Sequence, residues 1–300
     1  MDPMFRYELV RKFIDKNGVG IEIGPSHNPI APKKGGYQVQ IIDHLDRSGL
    51  LEKYAGHNVC LENIEEVDFV WSGQRYADLV GTTGHYDWLI ASHVIEHTPD
   101  LVAFINDCSE LLNDSGVLIL VVPDCRRCFD CFRPLTGLSK VIDACLNGDT
   151  RHTAGTAVEH LLNVCTKGGA MAWESGNGGT YAFMHTLDEA RNALNQAADV
   201  SRYEDYHGWC FTPGSFRLMM EDLHSLGLID VREMQFIHTG RFEFFAILGR
   251  RGAGSGMSRL ELLKEVQSEL RGGSALIQRV SHGFKSLGAF LRRRGAVTAR

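Results

Sequence analysis

The chain has 300 residues, of which 44% are hydrophobic and 23% are charged, and its formal net charge is −6. This composition is typical of a globular protein with a buried core, and the length fits one large domain or two small ones. No apolar run reaches the roughly 18 residues that a membrane-spanning helix needs, so the sequence predicts none.

The charge is distributed unevenly along the chain. Residues 1–249 carry 20 Lys and Arg against 34 Asp and Glu, whereas residues 250–300 carry 11 against 3. A nucleic-acid-binding protein usually has a basic footprint, so the acidic body predicts no nucleic-acid partner. Because the first residues do not resemble a signal peptide, the eight cysteines are expected to be reduced thiols in the cytoplasm.

Strands and helices alternate through the first 125 residues. The apolar pattern predicts helices at 4–16 and 100–112 and strands at 19–23, 37–43, 67–70, 86–91 and 116–122. The fifth strand is apolar at nearly every position, which is typical of a strand covered on both faces. The alternation predicts an α/β fold with a doubly wound, mainly parallel sheet.

The pattern changes after the fifth strand. Glycine-rich loops separate three predicted helices at 137–147, 155–166 and 186–200, which together indicate an inserted cap. A helix at 216–226 and an antiparallel hairpin at 229–237 and 242–248 then complete the sheet, and 252–256 is typical of a flexible linker. The predicted parts are an N-terminal core at 1–123, a helical cap at 124–212, a C-terminal core at 213–250 and a basic helical tail at 251–300.

Acidic residues lie near the predicted ends of the first three strands. Glu22 precedes Gly24, Asp43 ends the second strand, and Asp68 is placed at the end of the third. Acids at such positions can bind a ligand amine, ribose hydroxyls and an adenine amine, although any one of them alone is more often a turn or capping residue. Only one glycine of the dinucleotide pattern G-x-G-x-x-G is present, which favours a cationic ligand without phosphate.

Two later segments extend this pattern, Ser92-His-Val-Ile-Glu-His97 with Asp100, and the strand that ends at Asp124. With them the chain resembles the class I S-adenosylmethionine-dependent methyltransferases over residues 15–125 and 213–249. The resemblance implies a Rossmann-like seven-stranded fold with a helical cap insertion and a C-terminal helical tail, and S-adenosyl-L-methionine as the cofactor. The implied cofactor-binding residues are Glu22, Gly24, Pro25, Ser26, Asp43, His44, Asp68, Phe69 and Ser92.

Four shorter segments are similar to bacterial methyltransferases of surface-polysaccharide synthesis, namely 24–29, 42–45, 129–134 and 209–213. This similarity implies O-methylation of a sugar in a glycan or lipid-linked glycan acceptor. The alternatives are a small-molecule or RNA 2′-O-methyltransferase and a non-catalytic scaffold of the same fold. The chain departs from the family between the first two strands, where 13 residues with three prolines leave little room for a long helix, so a loop is expected to hold the methionine end of the cofactor.

A sugar hydroxyl is a poor nucleophile that needs a base or a metal ion. His93 and His207 are the predicted bases, because imidazole titrates near neutral pH. If a helix begins at His93, then His93, Glu96 and His97 share one face and can hold a divalent metal ion, as in the similar motif of small-RNA 2′-O-methyltransferases. The alternative for these residues is packing and capping without a metal.

Residues beyond the fifth strand are expected at the carboxyl edge of the sheet, where ligands bind. The predicted acceptor-binding residues are Asp124, Arg126, Asp130, Arg133 and Trp209, with a core position as the alternative for Trp209.

Cys125, Cys128 and Cys131 form two consecutive C-x-x-C spacings. The fourth ligand of a zinc or iron–sulfur site is missing from this run. These cysteines are therefore predicted to be buried thiols without a metal.

Residues 276–294 predict a basic amphipathic helix with Phe284 and Phe290 on its apolar face. Three roles are open for it: contact with an anionic membrane surface, packing against a second copy of the chain, or a disordered tail. The first role places the protein in the cytoplasm, peripheral to the inner face of the membrane.

Overall fold

The protein is represented by a computed structural model that describes residues 3–174, 178–196 and 205–272. In chain order the strands are β1 Val19–Ile23, β2 Gln38–Asp43, β3 Phe69–Val70, β4 Tyr86–Ser92, β5 Leu112–Pro123, β6 Cys165–Lys167, β7 Tyr181–Phe183, β8 Arg232–His238 and β9 Glu243–Gly249. Seven of them form one sheet in the order β3-β2-β1-β4-β5-β9-β8. The first five are parallel, and β9 runs antiparallel to both of its neighbours. The predicted Rossmann-like α/β fold is confirmed.

Helices cover both faces of this sheet. The helices of the described residues are α1 Pro3–Arg11, α2 Arg47–Tyr54, α3 Tyr76–Val80, α4 Leu101–Leu111, α5 Leu138–Asn147, α6 Ala154–Asn163, α7 Leu187–Gln196, α8 Pro213–Ser225 and α9 Arg259–Leu270. The sequence supplies their N-caps: the Asp100 carboxylate accepts the amides of Val102 and Ala103, and Thr212 forms a capping box with Ser215. Three helices and the small β6–β7 sheet lie between β5 and α8, as predicted for the cap, although the division into four parts stays a prediction.

The core has two layers because successive strand residues point to opposite faces. Along β5, Leu118 and Leu120 pack with α4 and α8 on one face, while Val117 and Ile119 pack with α1 on the other. Gly20 in β1 lies beside Trp88 in β4, and a Cβ atom at Gly20 would lie 2.1 Å from the indole ring. A glycine there makes room for the largest buried side chain of the sheet.

The connection between β1 and β2 is short, as predicted. Residues 24–37 contain one 3-10 turn, Lys33–Gly35, and no α-helix. Ile30 and Ala31 from this connection are buried against the same face as α1, so the loop contributes to the core.

The predicted flexible linker at 252–256 is wrong. The amide of Gly254 donates to the carbonyl of Glu233, and Arg217 in α8 donates to the carbonyl of Ser255 at 3.0 Å. These bonds hold the segment against α8 and β8, and α9 then packs on α8. The predicted amphipathic helix at 276–294 lies outside the described residues, and no helix within the described part of the chain is long and apolar enough to cross a membrane.

Candidate active site

The carboxyl ends of β1 and β2 bring several predicted cofactor residues together. Gly24 and Ser26 adopt left-handed backbone conformations with φ of 61° and 51°, which turn the chain sharply after β1. The amide of Ser26 donates to the Asp43 carboxylate at 3.1 Å. The Ser26 hydroxyl is buried and has no hydrogen-bond partner. The loop after Gly24 thus lies against the end of β2. This contact is needed if residues of the loop and of β2 are to bind the same ligand.

Asp43 itself is engaged within the protein. Its carboxylate accepts the amide of His44 at 2.8 Å and contacts the His44 Nδ1 at 2.6 Å, and the residue is 3% exposed. The His44 ring faces the Lys53 amine at 2.9 Å. Both carboxylate oxygens of Asp43 thus have partners within the protein.

Glu22 organises the loop after β1 and does not face an open edge. Its two carboxylate oxygens accept the amides of Ile30 and Ala31 at 2.7 and 3.0 Å, and the residue is 1% exposed. Burial raises the pKa of Glu22 to about 7, although the two amide bonds favour the charged form. The expected direct contact of Glu22 with a ligand amine is contradicted by this arrangement, since the loop occupies both oxygens.

The prediction that Asp68 ends the third strand is wrong. β3 begins at Phe69, so Asp68 precedes the strand and lies away from the carboxyl edge. Its carboxylate accepts the amide of Ile41 at 2.7 Å and pairs with the Lys33 amine at 2.5 Å. Phe69 packs against the core. The residue at the actual end of β3 is Val70, which Trp71 follows.

His93 follows Ser92 at the end of β4 and has a left-handed backbone with φ of 55°. Its Nε2 lies 2.9 Å from a Glu243 oxygen and its Nδ1 lies 3.4 Å from a Glu96 oxygen. Burial lowers the pKa of His93, but the two carboxylates outweigh burial and raise it to about 9. The raised pKa favours the protonated imidazole, which argues against the predicted role of His93 as a general base.

Glu243 was not among the predicted site residues. It is the first residue of β9, pairs with Pro123 at the carboxyl edge of β5, and is 1% exposed. Its carboxylate also binds Arg6 of α1 at 2.6 Å. Charged side chains at the start of an otherwise apolar strand are the one local signal that indicates this position.

Glu96, His97 and His207 form a compact group, which we call the EHH cluster. Their potential ligand atoms all lie within 4.8 Å of one another, and the two imidazole centroids are 4.5 Å apart. No α-helix begins at His93; a 3-10 turn, Ile95–His97, carries the first two residues. Within the described residues the structure thus groups Glu96 and His97 with His207, and the predicted third ligand, His93, is not in the group.

Carboxylates orient both histidines of the EHH cluster. The His97 Nδ1 lies 2.7 Å from Asp205, and the His207 Nδ1 lies 2.5 Å from Asp130. Although burial raises the pKa of each acid, its histidine partner more than offsets this and lowers the pKa to about 2. Both acids are therefore charged and fix the orientation of the rings, as in an Asp–His pair.

Glu96 holds the centre of the EHH cluster. The residue is fully buried, and neither carboxylate oxygen has a hydrogen-bond partner. Its backbone carbonyl accepts the amide of Gly208 at 2.6 Å, which ties the β4 loop to the segment that carries His207. Burial raises the pKa of Glu96, but His93 and the cluster histidines outweigh burial and lower it overall.

The EHH cluster adjoins the loop that follows β1. β1 and β4 are neighbouring parallel strands, with Ile23 paired to Ala91. At Gly24 a Cβ atom would lie 3.2 Å from the Val94 side chain, so the two loops are in close contact. A ligand at the end of β1 would therefore lie beside the loop that carries Glu96.

Four of the predicted acceptor-binding residues form internal ion pairs. Asp124 is 1% exposed and binds Arg126 through the Arg126 Nε at 2.8 Å. Arg133 is buried and donates to Asp130 and to the carbonyl of His207 at 3.0 and 2.7 Å. The predicted acceptor contact is contradicted for Asp124, Asp130 and Arg133, because these side chains are buried on their own partners; Arg126 stays partly exposed.

Trp209 is buried, and its indole Nε1 donates to the carbonyl of Thr98 at 2.6 Å. The Lys140 amine lies 5.3 Å from the ring centroid. Trp209 borders a pocket of about 280 Å³ between α5 and α6, lined also by Asp143, Asp149 and Arg151. None of the predicted cofactor-binding residues lines this pocket.

Cys125 and Cys128 are buried, and burial raises the pKa of both thiols well above the usual value. The Cys131 sulfur lies 3.5 Å from the Cys165 sulfur and not beside the other two. Among the described residues, none of these cysteines belongs to a group with metal-binding geometry.

No protein-family model matches the chain, and no curated protein matches it. Three solved structures show a distant likeness. The CcbJ methyltransferase from Streptomyces caelestis is similar over 83% of this chain and 96% of its own, with 12% identity and a TM-score of 0.43. A protein described as a putative Zn-dependent alcohol dehydrogenase from Rhodobacter sphaeroides is similar over 82% of this chain and 89% of its own, with 13% identity and a TM-score of 0.43. A SAM dependent methyltransferase from Aquifex aeolicus is similar over 82% of this chain and 88% of its own, with 9% identity and a TM-score of 0.41. Likenesses this distant say nothing about activity, and the strand order alone defines the fold.

Proposed function

We propose that the protein is an S-adenosyl-L-methionine-dependent O-methyltransferase. The observation that carries the proposal is the meeting of three loops at the carboxyl edge of β1, β2 and β4, where parallel sheets of this kind bind ligands. The Gly24–Ser26 turn lies against Asp43, and the EHH cluster lies on the adjacent loop. A nucleoside site and a group that activates a hydroxyl are thereby neighbours.

The reaction needs alignment more than covalent chemistry. S-adenosyl-L-methionine supplies the methyl group, which passes to the hydroxyl oxygen while the bonding electron pair stays on the sulfur. The hydroxyl proton must leave to solvent as the new bond forms, and we assign the activation of the hydroxyl to the EHH cluster. We assign to His93, which lies between Glu96 and Glu243, the role of orienting Glu96.

The proposed acceptor is a sugar hydroxyl of a surface glycan or its lipid-linked precursor. The short segments similar to polysaccharide-associated methyltransferases support this choice. The acidic body disfavours RNA, since phosphate contacts dominate RNA affinity. The alternative is a non-catalytic scaffold of the same fold. The presence of Ser26 and Asp43 at the proposed cofactor site argues against it.

Calorimetry with S-adenosyl-L-methionine tests the cofactor assignment. The wild type is expected to bind, and Asp43→Asn is expected to weaken binding at least several-fold because the ribose loses its charged acceptor. Glu52→Gln, an exposed position on α2, is the matched control and should leave the affinity unchanged. Absence of binding by the wild type at millimolar ligand would overturn the methyltransferase proposal.

Methyl transfer is measured separately with radiolabelled cofactor and three acceptor classes: lipid-linked glycans, free small molecules and RNA. Label in the glycan fraction is the expected result. Label only in RNA or small molecules contradicts the glycan assignment, and cofactor binding without transfer to any class supports a scaffold.

A further inference from the structure

We infer that the EHH cluster is a binding site for one divalent transition-metal ion, held by the Glu96 carboxylate and the imidazoles of His97 and His207. The site itself depends only on these residues. Its role in activating the acceptor hydroxyl rests on the proposed function.

The donor set fits such an ion. Imidazole and carboxylate together suit zinc, manganese, iron or cobalt, whereas magnesium and calcium prefer oxygen ligands alone. Two ligand atoms bound at about 2.1 Å to a tetrahedral ion lie about 3.4 Å apart. The three side chains start within 4.8 Å of one another, so small side-chain rotations close the site.

The second observation is the state of Glu96. A buried carboxylate without a hydrogen bond is costly, because desolvation of the charge is not compensated. Glu96 is fully buried, neither of its oxygens accepts a hydrogen bond of normal geometry, and its ion-pair contact with the His93 Nδ1 is long, at 3.4 Å. A bound cation on the side of His97 and His207 supplies the missing partner.

The third observation is the arrangement behind the imidazoles. Metal-binding histidines usually donate their other ring nitrogen to a carboxylate, which fixes the ring and raises its basicity. Asp205 and Asp130 hold the Nδ1 atoms of His97 and His207 in this way, and Arg133 in turn holds Asp130 at 3.0 Å. Asp205 and Asp130 thus lie against these rings as carboxylates lie against metal-binding histidines.

Three protein ligands leave coordination positions open, as in catalytic metal sites. A hydroxyl that occupies such a position loses its proton to solvent more readily, because the ion stabilises the oxygen anion. Under this inference His207 acts as a ligand and not as the predicted base, since one nitrogen cannot do both.

The test is titration of the chelator-stripped full-length protein with Co²⁺, followed by visible absorption and calorimetry. The wild type is expected to bind about one equivalent with d–d absorption and without the thiolate-to-cobalt charge-transfer band that cysteine ligands produce. Glu96→Gln and His97→Gln are expected to weaken binding by about 10-fold or more. His185→Gln, which alters a histidine–glutamate pair outside the cluster, is the matched control and should bind like the wild type.

Circular dichroism establishes that each variant is folded before titration. No stoichiometric binding by the wild type, equal affinity in Glu96→Gln, or a thiolate band would each overturn the inference. Zn²⁺ and Mn²⁺ titrations then rank the ions. Failure of cofactor binding with intact Co²⁺ binding removes the proposed function and leaves the metal site, whereas the reverse result removes the metal site alone.

Discussion

At the scale of single residues, the predicted acids differ in position: one lies at the carboxyl edge of the sheet and another is buried beneath a loop. Asp43 lies at the expected edge, whereas Glu22 is enclosed by the loop that it organises. Burial raises the pKa of Glu22 to about 7, so the folded protein holds a proton there that the unfolded chain releases near pH 4.5. Folding is then coupled to proton binding at this residue.

Glu22 predicts a pH-dependent stability with a definite sign. Since the folded state binds the proton more tightly, stability is expected to fall by about 3 kcal/mol between pH 4.5 and pH 7 from this residue. In Glu22→Gln this part of the decline should disappear, while stability at pH 5 drops because one loop amide loses its acceptor. Urea unfolding at pH 5, 6 and 7 measures both effects, and exposed Glu52→Gln is the control. Parallel pH profiles for wild type and Glu22→Gln would contradict the pKa assignment.

The sequence predicts site residues that directly follow a strand better than site residues that lie far apart in the sequence and meet only in the folded chain. Gly24, Ser26 and Asp43 follow strands whose apolar runs are evident, so their common edge could be predicted. His207 meets Glu96 across 111 positions, and Glu243 meets His93 across 150, with no local pattern to connect them. Asp68 was misplaced because β3 has two residues, too few for alternation to mark its start.

At the scale of elements, α9 is held by a hydrogen bond to the N-terminus of α8. Glu269 is 3% exposed, and its carboxylate accepts the Gly214 amide at 3.1 Å, one of the free amides of the α8 N-terminus. Composition predicted a linker before α9 because Gly and Ser are typical of flexible segments. Two hydrogen bonds fix it, one from Arg217 to the Ser255 carbonyl and one from the Gly254 amide to the Glu233 carbonyl, and neither could be derived from composition.

Glu269→Ala is therefore expected to loosen α9. The Gly214 amide loses its buried acceptor, which should lower the free energy of unfolding by about 1–2 kcal/mol and increase amide exchange in 259–270. Gln267→Ala, an exposed position of the same helix, is the control. Unchanged exchange in Glu269→Ala would show that α9 is held by its apolar contacts alone.

At the scale of the whole molecule, charge separates the body from the end of the chain. Residues 273–300 contain six Lys and Arg and no Asp or Glu, whereas residues 1–249 have an excess of 14 acids. We propose that the C-terminal segment contacts an anionic membrane surface, where each basic residue contributes about 1 kcal/mol near the lipid headgroups. The acidic body is repelled by the same surface.

Co-sedimentation with vesicles that contain anionic lipid tests this division. The full chain is expected to bind at low salt and to dissociate as salt rises, and a chain ending at Gly272 should stay in solution. Neutral vesicles are the control. Equal binding by both chains would contradict the proposal, and a change in molar mass on truncation without vesicle binding would favour contact with a second copy.

The position of β9 has a consequence for synthesis of the chain. Of the strands in the described part of the chain, β9 is made last, yet it lies between β5 and β8 and supplies Glu243 to His93. A ribosome-bound chain that ends before residue 243 leaves one edge of β5 open, and open edges invite pairing with other chains. Folding of this edge of the sheet is thus delayed until residues 243–249 have been made, and nonsense mutations upstream of β9 should produce aggregated protein.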